Sequence, residues 1–165
     1  MKGTYQMLKR ILTFSIVAMI LTMGAYQLNA TFNNQYAVWK ENWGFSTPNP
    51  SKSQVIFEKT SSFLGRSLAY VVLDYNRKQF ETIRYQGVWK TIDANTMQLL
   101  QEKIEEFSKD AKEKGHAKNK IFPKHPIQYQ VGDLYFYKYN PERSSYFLAI
   151  LDVRNHRLYT LETLL

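Results

Sequence analysis

Leu68-Ala69-Tyr70-Val71-Val72-Leu73-Asp74-Tyr75 is apolar on both of its alternations. A strand with one wet face alternates polar with apolar residues, so this run predicts a strand covered on both faces. Asn76-Arg77-Lys78 then turns the chain, and Gln79–Tyr85 alternates as a returning strand. Gln86-Gly87 punctuates before a further strand over Val88–Ile92, and a short strand, Val55–Lys59, precedes the run.

Downstream, the period changes from two to between three and four. Met97, Leu100, Ile104, Phe107 and Ala111 recur at helical spacing, with Glu102, Lys103, Glu105, Glu106 and Lys109 on the wet side. Asp93 is the expected N-cap and Gly115 the expected stop, with Lys112 and Lys114 at the negative end of the dipole. Glu105 with Lys109, and Asp110 with Lys114, are spaced to pair along the helix.

After a loop rich in Lys, His and Pro, strand signals return over Asp133–Tyr139, Tyr146–Val153 and Arg157–Glu162. Turns at Asn140-Pro141-Glu142-Arg143 and Arg154-Asn155-His156 are short, which makes this group an antiparallel meander. The two strand groups echo each other. Leu68–Tyr75 followed by Phe80-Glu81-Thr82-Ile83 aligns without a gap onto Tyr146–Val153 followed by Leu158-Tyr159-Thr160-Leu161. One echo of this length fits two hairpins obeying one grammar better than an old duplication.

The order strands, helix, strands predicts an α+β domain whose antiparallel sheet is built from two strand groups flanking one amphipathic helix. The sheet face carrying Ala69, Val71, Leu73, Phe147, Ala149, Leu151 and Val153 is the expected helix side. Residues 31–53, punctuated by Asn33, Asn34, Gly44, Pro48 and Pro50, read as a connector, so the folded domain spans 54–165. Trp39, Trp43 and Phe45 lie inside that connector. They read as a lid packed on the domain, or else as an aromatic contact with a membrane or partner.

The N-terminus addresses location. Lys2, Lys9 and Arg10 precede Ile11–Met23, an apolar run broken only by Thr13, Ser15 and Thr22. A basic start before such a run is what export machinery reads, with the positive flank left in the cytosol. As a helix, Ile11–Tyr26 rises about 24 Å, short of a hydrocarbon layer of about 30 Å. That length suits a signal peptide cut after Gly24, Ala25 or Ala30. The uncharged continuation Gln27–Trp39 would instead extend residues 1–30 into a single transmembrane anchor. Either way the body of the protein is expected outside the cytosol, in a periplasm or on the outer face of an inner membrane.

The chain has 165 residues and a formal net charge of +8. Without Lys2, Lys9 and Arg10, 19 of the 22 bases stand against 14 acids, a net +5. Such a balance suits an anionic membrane surface or an acidic patch on another envelope protein, while nucleic acid is a poor partner for an exported domain. With no cysteine, disulfides, thiolate metal sites and cysteine nucleophiles are excluded.

Chemistry-bearing motifs are sparse. Asp74 and Asp152 end strands in the same phase, where two carboxylates would converge for acid–base hydrolysis. The ordinary role of an Asp before a turn is to accept backbone hydrogen bonds. His116, His125 and His156 lack ligand spacing and read as solvated loop residues, so no metal is expected. No nucleophile elbow, phosphate loop or dinucleotide fingerprint occurs, so no cofactor is expected. Lys118, Lys120 and Lys124 belong to a basic stretch suited to anionic headgroups or an acidic partner. Tyr135, Tyr137 and Tyr139 alternate along one strand face, a broad surface with hydrogen-bonding tips. The expectation is a small exported, non-enzymatic binding domain acting as an inhibitor, immunity or envelope-assembly accessory protein. A structural subunit of a membrane complex, or a hydrolase using Asp74 and Asp152, is the alternative.

Overall fold

The computed structural model describes residues 35–61, 66–113 and 121–164. The expected leader or anchor over residues 1–30 lies outside them, as do His116, Lys118 and Lys120. Among the described residues no helix is long and apolar enough to cross a membrane. The chain divides into two compact units, Met1–Ser46 and Thr47–Leu165.

In the first unit, residues 35–43, inside the stretch read as a connector, form a helix, α1. Gly44 ends it with φ 69°, a conformation glycine adopts without a Cβ clash, and its N–H reaches Lys40 O at 3.0 Å. The Trp39 ring lies 5.5 Å from Tyr36 and 6.3 Å from Phe45, and Trp39, Trp43 and Phe45 are buried.

The second unit is α+β. Its strands are β1 (Lys52–Ser61), β2 (Arg66–Asp74), β3 (Lys90–Thr91), β4 (Leu134–Asn140), β5 (Ser145–Asp152) and β6 (Arg157–Leu164). They form one sheet in the order β1-β2-β6-β5-β4-β3, with every neighbouring pair antiparallel. β6, last in the sequence, lies between β2 and β5 and joins the two strand groups. As the double apolar alternation predicts, β2 buries Leu68 and Tyr70 on one face and Ala69, Val71 and Leu73 on the other. All eight residues of β5 are buried.

Two corrections follow. The expected returning strand Gln79–Tyr85 is a helix, α2 (Arg77–Arg84). Asn76 accepts from Gln79 N–H at 3.0 Å while the Gln79 side chain accepts from Asn76 N–H at 2.9 Å, a reciprocal capping box. Phe80 and Ile83, three apart, are buried together as a helical stripe, so a local cap decides a segment whose alternation alone also fits a strand.

The second correction concerns the long helix, α3 (Ala94–Glu113). Asp93 caps it as expected, accepting from Thr96 N–H at 2.7 Å and the Thr96 hydroxyl at 2.6 Å. Its buried stripe, Leu100, Phe107 and Ala111, packs on Leu68, Tyr70, Tyr146, Leu148, Ile150, Tyr159 and Leu161. That is the face opposite to the one expected. Both faces are buried, so periodicity could not choose between them. The face α3 covers holds the tyrosines, and Tyr146 uses its hydroxyl to donate to Lys103 O at 3.2 Å.

A short helix, α4 (Ile121–Lys124), lies over the same face. Phe122 stacks on Tyr70 with centroids 5.3 Å apart and meets Phe107 edge-on at 6.1 Å. The segment that follows α4 is thereby held over one end of the sheet.

Candidate functional site

At that end β2, β6 and β5 finish in register. Arg157 of β6 is the cross-strand partner of Asp74 on one side and of Asp152 on the other. Directly opposed residues share a face, so all three side chains rise on the α3 side. The two aspartates thus stand on the same face two strand spacings apart, about 10 Å between backbones.

Their chemistry differs. Asp152 is buried, and its Oδ1 accepts from the N–H groups of Arg154 and Asn155, both at 3.0 Å, while Oδ2 accepts from Asn155 Nδ2 at 2.7 Å. Both oxygens are committed to shaping the turn. Asp74 is half-buried and accepts from Arg157 Nε at 2.6 Å. Its backbone carbonyl accepts from Ser51 N–H at 2.9 Å and Ser51 Oγ at 2.8 Å, which fixes the start of β1 beside it.

Asp74 and Arg157 form part of the floor of a half-open cavity of about 190 Å³. Lys52, Gln54 and Ile56 of β1 supply one wall, and Lys124, His125, Pro126 and Gln128 after α4 supply the roof. A bulge in β1 shapes that wall. Register with β2 slips between Val55 and Phe57, so both Ile56 and Phe57 turn to the α3 side. Ile56 then lines the cavity while Phe57 meets Phe107 edge-on at 6.4 Å.

A tyrosine ties floor to roof. Tyr70 donates its hydroxyl proton to His125 O at 3.0 Å. Burial pushes that phenol well above its usual range, which keeps it a neutral donor. Tyr159 is also raised, chiefly by burial, with the nearby Arg157 charge acting in the opposite direction. The Asp74 hydrogen bond in turn holds the Arg157 guanidinium charged.

Among the described residues the lining therefore carries three cations, Lys52, Lys124 and Arg157, against one carboxylate, Asp74. The lysines and Gln54 are exposed, so their heads are free to swing toward an arriving group. A cavity this small, flanked by ammonium groups and amides, fits a carboxylate or another compact anion.

A second cavity of about 150 Å³ lies beside it, reaching Asp133, Asp152 and Arg154. Its acids are structural. Buried Asp133 accepts from Gln130 N–H at 2.8 Å and Val153 N–H at 3.1 Å, and Arg154 donates to the Gln130 side chain. Among the described residues no cluster of three or more His, Asp or Glu is placed to hold a metal ion.

The other expected site residues fall elsewhere. Tyr135 and Tyr137 are half-buried and pack against the core under α3, with Tyr137 6.0 Å from Tyr146 and Lys103 Nζ 6.0 Å above the Tyr137 ring. Tyr139, 50% exposed, is the open member of the stripe. His156, expected to be a solvated loop residue, is half-buried and stacks on Phe80 at 4.2 Å. Lys124 alone of the three candidate lysines lies among the described residues, at the cavity roof.

Sequence reasoning did not reach Arg157, Lys52, Gln54 or Tyr159. Their convergence depends on β2–β6 pairing across more than half the chain, for which no local pattern exists. The match between Asp74 and Asp152 was a signal, and in the sheet the two aspartates flank Arg157 as its cross-strand partners.

No protein-family model matches the chain, and neither a curated protein nor a solved structure matches it.

Proposed function

We propose that the chain is a small exported binding domain without catalytic chemistry, which takes an anionic group of its partner into the cavity over Asp74 and Arg157. The observation that carries this is the convergence of Lys52, Lys124 and Arg157 on a lining with a single carboxylate. The partner that fits is another envelope protein presenting an acidic group. The lysine-led apolar leader supports export to a periplasm or to the outer face of an inner membrane, with the N-terminus cytoplasmic if the leader is kept. The hydrolase alternative is disfavoured by bonding: Asp152 has both oxygens committed to its turn, and Asp74 is paired with Arg157.

Acetate titrated into the isotope-labelled full-length protein tests this. Saturable shifts confined to Lys52, Gln54, Gln128 and Arg157 are expected. In the Lys52→Gln/Lys124→Gln variant, which leaves the Asp74–Arg157 pair intact, binding should weaken by about tenfold. Shifts that stay linear, or that are equal in the variant, would contradict the reading.

A further inference from the structure

β1 is an edge strand. It ends the sheet order, so among the described residues its outer N–H and C=O groups face no other strand. Lys52, Gln54, Val55, Glu58, Lys59 and Thr60 along it are all exposed. The bulge at Ile56 divides this edge into a flat run before it and a second run after it. The flat run holds Lys52 and Gln54, which also form the cavity wall. Edge and cavity are thus one continuous surface.

We propose that the partner is an extended acidic segment of another protein, which adds as a strand to the Lys52–Val55 edge and lays one carboxylate side chain into the cavity. This rests on the anion reading above and gives that anion a carrier. A strand added at this edge would lie about 4.8 Å from β1, with its same-face side chains beside Lys52 and Gln54. A Glu in that position stands at the cavity mouth, with Lys52 as its first counter-charge and Arg157 deeper in, on the third strand from it. Main-chain pairing supplies affinity and the buried acid supplies selection, as in other strand-addition complexes. Lys52 and Lys59 discourage apolar strands from the same edge, since pairing would leave their ammonium groups without counter-charge.

The test uses an end-blocked heptapeptide of alternating Thr and Val with a central Glu, together with its Gln counterpart and a version N-methylated on alternate backbone nitrogens. The Glu peptide is expected to compete with acetate and to slow hydrogen exchange at outward amides of β1. The Gln peptide should bind about tenfold more weakly, and the N-methylated one should lose the exchange protection. If the Glu peptide displaces acetate but leaves β1 exchange unchanged, strand addition is overturned while the anion site stands. Equal protection by the Glu and Gln peptides overturns the link between edge and cavity. If neither acetate nor the Glu peptide binds, the anion site fails and the inference with it.

Discussion

Two stretches of this chain begin alike and end differently. Leu73-Asp74 and Leu151-Asp152 close buried strands at the same step, and each is followed by a polar turn and an apolar segment. After Asp152 the chain doubles back at once as β6, because the aspartate gathers the turn's N–H groups and His156 takes φ 52°. After Asp74 it does not double back. Asn76 takes the capping role, α2 forms, and the Asp74 carboxylate is left for Arg157. Which residue captures the first free N–H groups decides between strand and helix, and it also decides which aspartate remains available to a cavity.

The largest effect expected in breaking this comparison is at Phe80, which the alignment places opposite Leu158. Phe80→Ala removes a fully buried ring stacked on His156 and should cost about 3–5 kcal/mol in denaturant unfolding. Asp152→Ala comes next. It strips acceptors from the turn and should cost about 2–3 kcal/mol, since three hydrogen bonds to a buried carboxylate are lost. Asn76→Ala, which opens the capping box of α2, should cost about 1 kcal/mol by the same assay. Asp74→Asn, at a partly exposed pair, should cost less than about 1 kcal/mol. Were Asp74→Asn as damaging as Asp152→Ala, the division of labour between the two aspartates would be wrong.

The smallest effect is at Asp93, which caps α3 as Asn76 caps α2. Thr96, through its hydroxyl and then its N–H, holds this carboxyl below the usual range. A lowered pKa contributes stability that is complete above the ordinary carboxylate value and is lost as pH falls through the lowered one. Asp93→Asn should therefore narrow its gap in Tm to the parent as the solution is acidified through that window.

The antiparallel sheet, the meander and α3 were legible because each rests on local periodicity: Tyr146–Val153 and Met97–Ala111 carry their patterns without help. α2 was misread because four residues, Phe80 to Ile83, fit both periods, and the deciding contact is one side-chain exchange between Asn76 and Gln79. The side of the sheet α3 covers was misassigned because β2 and β5 are apolar on both faces. Of the candidate site, Asp74 and Lys124 were legible as candidates, whereas Arg157, Lys52 and Tyr159 were not. A binding floor made by β6 entering between β2 and β5 exists only after strands distant in sequence have paired.

The most direct measurement compares acetate affinity in Asp74→Asn and Asp152→Asn against the parent protein. Removing the one carboxylate of the lining frees Arg157 and raises the local positive charge. Asp74→Asn should therefore bind acetate more tightly, by about threefold or more, while Asp152→Asn, whose carboxylate lies outside the lining, should raise the affinity less. Unchanged or weaker binding by Asp74→Asn would contradict an anion-receiving cavity at this end of the sheet.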